Sequence, residues 1–289
     1  MISRRNFIAQ AAVWPCLWSE LLAASPVRIG CQTNAWRINP VNFQDLLGVL
    51  AKLKELGFDG FETSFRNVQG QFANGASARK ILEATGLALF GVHIYLEKYD
   101  ERTQVAPIEE VKRIVDGAAV LGAQRLILSG GGLISEGRVD RDAVKRKADG
   151  LNEAGKYCRS KGIRLAYHNH GPEMANEGLE IGQLLRLTDP ATVDFLMDCG
   201  WAFRAGLDVP AFFRRHHRRL VGVHLRDFNG DEQVPLGQGQ FPIAEMGRAI
   251  AAVKWKGWVI NEEERLSGAK PGETAVGPAR QTLRRIFGR

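Results

Sequence analysis

Short apolar runs alternate with longer amphipathic stretches from Val27 to the end of the 289-residue chain. The short runs are rich in β-branched and aromatic residues, which indicates strands. The longer stretches repeat apolar residues at helical spacing, which indicates helices. This order is typical of parallel strands joined by crossover helices. The predicted strands are residues 28–33, 60–64, 88–95, 125–129, 164–168, 195–198, 221–225 and 258–261.

Eight helices are predicted in the stretches that follow these strands. Four of them are followed directly by a glycine, the residue that most easily takes the positive φ at which a helix ends. The predicted helices are residues 43–56, 76–85, 108–121, 141–161, 180–187, 210–217, 243–253 and 275–287.

Eight strand and helix units in roughly 260 residues match an α/β fold of the (β/α)8 TIM barrel type, whose typical length is about 250 residues. The sequence therefore predicts a single barrel domain over residues 27–289. An open doubly wound sheet is the alternative, but the first strand is not followed by the glycine fingerprint that such a sheet uses to bind dinucleotides.

Residues 1–26 resemble a twin-arginine export signal. Arg4 and Arg5 stand between a serine and Phe7, and a mildly apolar stretch follows over residues 8–24. This stretch is too short and too interrupted to span a bilayer as a helix, so no stable membrane anchor is expected. The pattern predicts that the folded protein is exported to the periplasm. An amphipathic N-terminal extension is the alternative.

The formal net charge of +7 does not by itself indicate a nucleic-acid partner. Basic residues are scattered except at 214–219 and 284–285, where they lie at predicted helix ends and suit the negative end of the helix dipole. Basic and aromatic residues do not interleave in a stripe suited to a duplex. We therefore expect no nucleic-acid partner, and the sequence leaves open whether the chain forms a homo-oligomer.

Polar side chains with metal-binding or acid–base chemistry recur late in the predicted strands. In a TIM barrel the C-terminal ends of the strands form one face, and ligand-binding groups lie there. Because side chains alternate along a strand, two histidines two residues apart point to the same side. The residues concerned are Glu62, His93, His168, His170, Asp198, His224 and Glu262.

The mixture of imidazole and carboxylate groups predicts one divalent metal ion. Mn, Zn, Co or Fe suits such a set better than Mg or Ca. Arg226 shares the side of the strand on which His224 lies, so it can contact a substrate oxygen or the aspartate at the metal. A salt bridge with Asp227 or Glu263 is the alternative for Arg226. Aromatic walls for the pocket are expected from Trp36, Phe65, Tyr95 and Trp201, and packing in the core or at the rim is the alternative for each.

Five segments of the second half of the chain resemble one enzyme family. In order they read A-Y-H-N-H-G-P-E (166–173), M-D-C-G-W-A-F-R-A-G-L-D (197–208), G-V-H-L-R-D-F (222–228), P-L-G-Q-G-Q-F (235–241) and W-V-I-N-E-E-E (258–264). This set is similar to the sugar phosphate isomerase/epimerase family of the xylose isomerase-like TIM barrel superfamily, which also includes endonuclease IV.

The resemblance implies that His168, Asp198, His224 and Glu262 hold the metal. Many members have glutamate at the position of His168, and Glu173 is a candidate to supply the missing carboxylate. Many relatives also have histidine at the position of Trp201, so the three-metal arrangement of the endonuclease is not expected here.

The activity that the resemblance implies is isomerisation or epimerisation of a small sugar or keto-sugar derivative through an enediolate. The candidate catalytic residues are Glu262, Glu173 and His170, and the candidate substrate-binding residues are Glu62, His93, Trp201 and Arg226. Glu262 is the one glutamate in its family position, so elimination or hydrolysis of a keto-sugar derivative is an alternative. An endonuclease IV-like repair enzyme and a non-catalytic sugar-binding barrel are the others.

Overall fold

A computed structural model describes residues 27–264 and 272–289. Eight parallel strands close into a barrel in which each strand pairs with the strands before and after it in the chain, and the first pairs with the last. The predicted TIM barrel is therefore confirmed. The strands are β1 (Arg28–Gln32), β2 (Gly60–Ser64), β3 (Ala88–Ile94), β4 (Arg125–Ser129), β5 (Arg164–His168), β6 (Val193–Asp198), β7 (Leu220–Leu225) and β8 (Trp258–Asn261).

The helices surround the barrel, and each predicted helix is present with shifted ends. They are α1 (Phe43–Glu55), α2 (Gly75–Ala84), α3 (Ile108–Val120), α4 (Arg141–Ser160), α5 (Gly171–Leu187), α6 (Cys199–Arg204), α7 (Val209–His216), α8 (Ile243–Ala252) and α9 (Glu273–Phe287). Short 3-10 turns occur at Thr33–Ala35, Phe65–Asn67, Gln69–Asn74 and His217–Arg219.

Two helical segments differ from the prediction. Helix α6 was not predicted; it begins directly after β6 because the Asp198 side chain accepts a hydrogen bond from Trp201 N and caps it. Helix α5 begins at Gly171 and is interrupted at Ala175–Gly178. Within the interruption Asn176 and Glu177 have positive φ, a conformation that residues other than glycine rarely adopt and that sequence periodicity does not reveal.

Two small hairpins extend the loops after β4 and β7. Ile134–Ser135 pairs with Arg138–Val139, and Asp227–Asn229 pairs with Glu232–Val234. Both loops follow the C-terminal ends of barrel strands, so they lie at the face where the candidate residues are expected. The twin-arginine signal predicted over residues 1–26 lies outside the described residues and stays a prediction. Across 27–264 and 272–289, no helix is long and apolar enough to cross a membrane.

The inside of the barrel is divided into an apolar layer and a polar layer. The apolar layer consists of Phe90, Ile127, Ala166, Leu196, Trp258 and Ile260. Two residues further along four of these strands, the same alternation places Ser129, His168, Asp198 and Glu262. The apolar layer thus forms the floor on which the candidate site stands.

Close packing around Gly60 leaves no room for a side chain at this position. A Cβ at this position would lie 2.4 Å from the carbonyl oxygen of Ala88 and 2.7 Å from the Trp258 ring. Gly48 is exposed on α1, and a Cβ there would meet nothing within 4 Å.

We therefore expect Gly60→Ala to lower the free energy of unfolding by about 1–3 kcal/mol, because backbone and ring must move apart. Gly48→Ala is the matched control and is expected to raise it by about 0.5–1 kcal/mol, because alanine favours the helix. Urea unfolding of both variants measures the difference. Equal effects of the two substitutions would contradict the tight packing at β2.

Candidate active site

The structure brings four predicted metal ligands together at the C-terminal end of the barrel. His168, Asp198, His224 and Glu262 are buried, and each offers an atom within 4.8 Å of those of the others. His168 Nε2 lies 3.0 Å from His224 Nδ1, 3.6 Å from Asp198 Oδ2 and 3.8 Å from Glu262 Oε2. Strands β5, β6 and β7 and the residue after β8 each contribute one side chain.

Two buried carboxylate oxygens of this cluster face cationic groups. Among the described residues, Arg226 contacts both Asp198 Oδ2 and Glu262 Oε2, and His224 Nδ1 also contacts Glu262 Oε2. A buried carboxylate oxygen costs free energy unless a hydrogen bond, a cation or a metal compensates it. Two imidazole nitrogens and two buried carboxylate oxygens are a donor set suited to one divalent transition metal. The residues present therefore fit the metal that the sequence predicts.

Arg226 is the buried guanidinium beside these oxygens, with 1% of its side chain exposed. Its Nε lies 2.9 Å from Asp198 Oδ2, and its terminal nitrogens contact Glu262 and Glu264. Of the partners that the sequence suggested for Arg226, Asp198 is the one that the structure places against it. The guanidinium balances part of the negative charge of the two carboxylates.

Asp227 and Glu263, the alternative partners, form hydrogen bonds elsewhere. Asp227 accepts backbone N–H groups from Gly237, Gly239 and Phe241 at 2.8–2.9 Å, so it holds the loop after β7. Glu263 Oε1 accepts from Leu236 N at 3.1 Å and from the side chain of Asn261 at 3.0 Å. Neither carboxylate is available to Arg226.

Charge in the cluster is divided between His224 and the carboxylates that flank it. Burial lowers the pKa of His224, but the negative charges and hydrogen bonds of Glu62 and Glu262 outweigh burial and raise the pKa to about 10. Burial raises the pKa of Glu62, but His224 and then His93 reverse this and lower the pKa to about 2. At neutral pH the metal-free site therefore contains an imidazolium at His224 facing ionised Glu62.

His168 and Glu262 have the protonation states that metal ligands need. Burial, followed by the charges of His224 and His93, lowers the pKa of His168 well below 6.5, so its ring is neutral. Burial raises the pKa of Glu262, but Arg226 and His224 outweigh it and hold the pKa well below 4.5. Asn34 Nδ2 donates to Glu262 Oε1 at 3.1 Å and orients the carboxylate.

Glu62 is not placed as the sequence predicted. It was expected to bind substrate, but it is fully buried and does not line the cavity above the cluster. Its Oε1 lies 2.8 Å from His93 Nδ1 and its Oε2 lies 2.8 Å from His224 Nε2. Both oxygens are therefore engaged by histidines, and the contact of Glu62 is with a predicted ligand rather than with a substrate.

Glu173 is not brought to the cluster either. Its Oε1 accepts from Lys147 Nζ at 3.1 Å and from the hydroxyl of Tyr167, and its Oε2 accepts from His170 N at 2.6 Å. Lys147 is a fully buried cation that also binds Glu180 at 2.7 Å. Lys147 lies on α4, and its ion pair holds the Glu173 carboxylate away from the cluster. Glu173 therefore does not supply the carboxylate that is missing at position 168.

A cavity of about 450 Å³ opens above the cluster. His93, His170, Trp201 and Arg226, all predicted for the site, line it. Of the predicted aromatic walls, Tyr95 and Trp201 are present, whereas Phe65 packs in the core and Trp36 lies outside the lining. The lining residues are Gln32, Asn34, Ser64, Arg66, His93, Tyr95, His168, His170, Trp201, Arg226, Glu262 and Glu264.

Sequence reasoning missed several residues of this site. Gln32 and Ser64 end β1 and β2, so the strand-end rule that identified the histidines also applies to them. Ser129 ends β4 in the same way; its Oγ lies 2.7 Å from His93 Nε2 and 3.4 Å from His168 Nδ1. Arg66 and Asn34 lie on 3-10 turns, which have no comparable sequence signal.

The family model of the xylose isomerase-like TIM barrel matches residues 50–286, and the protein belongs to this family. A crystal structure of a sugar phosphate isomerase/epimerase from Parabacteroides distasonis aligns with a TM-score of 0.69 at 22% identity, over 91% of this chain and 95% of that chain. The structure of L-ribulose 3-epimerase aligns with a TM-score of 0.78 at 18% identity, over the same shares of the two chains. At these identities the likeness shows the fold.

A curated relative is inosose dehydratase of Bacillus anthracis. It is 27% identical over 201 residues, which cover 58% of this chain and 67% of that protein. Together with the family model, these comparisons confirm the family resemblance that the motifs predicted.

Glu263, next to the cluster, gives a test of the electrostatics. Its burial raises the pKa from 4.5 to about 7, despite hydrogen bonds from Asn261 and Leu236 that lower it. Between these two values the unfolded chain has lost the proton and the folded chain retains it. Stability contributed by this proton is therefore full below pH 4.5 and is lost as the pH rises to about 7.

Relative to Glu263→Gln, the wild type is expected to lose about 1 kcal/mol of unfolding free energy per pH unit across this window, and to show no further change above it. Glutamine retains the accepting oxygen but does not titrate, which makes it the matched control. Urea unfolding of both proteins at about pH 5, 6, 7 and 8 measures the difference. A difference that does not vary with pH would contradict the assignment.

Proposed function

We propose that the protein is a divalent-metal-dependent isomerase or epimerase of a sugar or keto-sugar derivative. The observation that carries the proposal is the convergence of two buried carboxylate oxygens, on Asp198 and Glu262, and two imidazole nitrogens, on His168 and His224, at the floor of the cavity. Relatives of the chain include inosose dehydratase and, by fold, L-ribulose 3-epimerase, which supports a sugar-directed enzyme. A cavity of about 450 Å³ is of a size that admits a small molecule.

When bound, a divalent metal supplies positive charge that polarises a substrate carbonyl and stabilises the charge left when the adjacent carbon loses a proton. Glu262 is ionised at neutral pH, so its carboxylate is in the form that can accept that proton. Asn34 holds one of its oxygens and leaves the other directed at the cluster. We assign Glu262 the role of base.

His170 is the second proton carrier in this proposal. Its ring lines the cavity at the end of β5, whereas Glu262 follows β8, so the two groups approach a substrate from different sides of the barrel. Burial lowers the pKa of His170 below 6.5, so the ring is neutral at neutral pH and can take up or deliver a proton. Glu173 plays no part, because Lys147 and His170 N hold its carboxylate.

Trp201 and Arg226 are suited to hold the substrate. Trp201 Nε1 is buried and has no hydrogen-bond partner in the described part of the chain, and the side chain lines the cavity, so it can donate to a sugar hydroxyl. Arg226 carries positive charge at the edge of the cluster and can donate to a substrate oxygen.

Elimination of water from a keto-sugar derivative is the second candidate reaction. One observation favours it over hydrolysis: a curated relative is an inosose dehydratase. Elimination and epimerisation share their first step, the removal of a proton beside a carbonyl. In epimerisation or isomerisation a proton then returns to the substrate, whereas in elimination a hydroxyl group leaves.

Metal analysis tests the foundation of the proposal. We expect about one divalent ion per chain in the wild type and at least tenfold less in Asp198→Ala and His224→Ala, since each removes a ligand. His216→Ala, on α7 outside the cluster, is the control and should leave the metal content unchanged. Equal metal content in the wild type and the three variants would contradict the proposal.

Exchange of substrate protons with deuterated water tests the reaction. NMR over a panel of keto and aldo sugars is expected to show exchange at the carbon beside the carbonyl, and His170→Asn is expected to slow turnover about 10²-fold or more. A new diastereomer or ketose indicates epimerisation or isomerisation, and loss of a hydroxyl indicates elimination. Sugar-dependent thermal stabilisation without exchange would support a non-catalytic barrel instead, and cleavage of abasic duplex would support an endonuclease.

A further inference from the structure

The two histidines of the cluster need opposite tautomers to bind one metal. A neutral imidazole binds through its unprotonated nitrogen, and the hydrogen bond made by the other nitrogen decides which one that is. His224 faces the cluster with Nδ1, so it must carry its proton on Nε2. His168 faces the cluster with Nε2, so it must carry its proton on Nδ1.

For His224 the required proton position follows from one contact. Its Nε2 lies 2.8 Å from Glu62 Oε2, and a carboxylate oxygen can only accept. Nε2 therefore carries a hydrogen and donates it to Glu62. Nδ1 is then the nitrogen that a metal can bind, in place of the second proton that the ring carries in the metal-free protein.

For His168 the required proton position follows from a chain of three hydrogen bonds that starts at the other oxygen of Glu62. His93 Nδ1 donates to Glu62 Oε1 at 2.8 Å, and in a neutral imidazole this leaves Nε2 as the acceptor. The Ser129 hydroxyl, 2.7 Å away, donates to that nitrogen, so the lone pairs of its oxygen are free to accept. His168 Nδ1, 3.4 Å from Ser129 Oγ, donates to them.

The opposite direction of the chain is excluded by its starting point. If Ser129 donated to His168, His93 would carry its proton on Nε2, and two unprotonated acceptors, His93 Nδ1 and Glu62 Oε1, would then face each other at 2.8 Å. His168 would also point an N–H at the cluster. A carboxylate at position 62 therefore determines the direction of every donor in the chain.

We propose that Glu62 sets the metal-binding tautomers of both histidine ligands, that of His224 directly and that of His168 through His93 and Ser129. Glu62, His93 and Ser129 are thus positioning residues. The proposal rests on the proposed metal site. It also shows how a histidine ligand at position 168 differs from a glutamate ligand there. A carboxylate ligand has no tautomer to set, whereas a histidine depends on a partner for its second nitrogen.

NMR of the metal-free full-length protein tests the relay without any metal. With ¹⁵N-labelled histidine, the wild type is expected to show His168 protonated on Nδ1. The comparison is made in a His224→Ala background, because Nδ1 of His224 is protonated in the metal-free protein and faces His168 Nε2 at 3.0 Å. In that background Ser129→Ala removes the acceptor, so the proton is expected to move to Nε2, where carboxylates of the cluster can accept it. Ser129→Thr retains a hydroxyl and is expected to restore the wild-type signature. Protonation of His168 on Nε2 in the wild type, or an unchanged tautomer when Ser129→Ala is added to His224→Ala, would overturn the proposal.

Metal affinity, measured by competition with a chelator for Zn²⁺ or Mn²⁺, gives the second readout. Ser129→Ala and Glu62→Gln are expected to bind the metal about 10–100-fold more weakly, the effect typical of partners behind a metal ligand. Ser64→Ala is the matched control, because Ser64 lines the same cavity and, within residues 27–264 and 272–289, its hydroxyl oxygen accepts from Arg66 N and contacts neither histidine ligand. Ser129→Thr should regain the wild-type affinity.

The two experiments separate failure of the relay from failure of the metal site. A wild type that binds no metal but has His168 protonated on Nδ1 refutes the proposed function and leaves the relay standing. A wild type that binds metal, with Ser129→Ala equal to it in affinity and without effect on the tautomer in the His224→Ala background, refutes the relay and leaves the proposed function standing.

Discussion

A layer of charged side chains lies buried inside the barrel, directly above an apolar layer, and the site depends on the balance of charge within it. Glu62, Asp198 and Glu262 bring carboxylates to this layer, and Arg226 and His224 bring the opposing charge. Buried charges of this kind are tolerated only when they are paired, and removal of one partner leaves an uncompensated charge. The apolar floor of Phe90, Trp258 and their neighbours closes the barrel below, so compensation has to come from within the layer.

This balance links the architecture to the chemistry. The strands deliver one polar side chain each, and hydrogen bonds between strands orient those side chains more finely than any single strand does. Arg226 neutralises part of the charge of Asp198 and Glu262 through the same oxygens, Oδ2 and Oε2, that face the two imidazoles. The low pKa of Glu262 and the neutral ring of His168 follow from the same arrangement, because each is set by burial and by the nearest charge.

Two features distinguish this chain within the pattern that its motifs resemble. His168 stands where many members have glutamate, and the structure surrounds it with Ser129 and His93 rather than with a substitute carboxylate. Glu173, the nearest candidate for that substitute, belongs to the separate network around Lys147. Trp201 walls the cavity at the start of α6, where its backbone N–H is bound by Asp198. Asp198 thus belongs to the predicted metal site and also positions Trp201 in the cavity wall.

The sequence by itself determined the barrel and four residues of the cluster, because strand periodicity and the position of polar residues at strand ends are local properties of the chain. It did not determine where Glu62 and Glu173 point. Glu62 bonds to His224 across a separation of 162 residues, and Glu173 bonds to Lys147 on a different helix. Such contacts depend on which strands become neighbours when the barrel closes and on the positive φ values that break α5. The tertiary structure alone decided them, because a buried carboxylate needs a cation or a hydrogen-bond donor and the fold determines which one lies beside it.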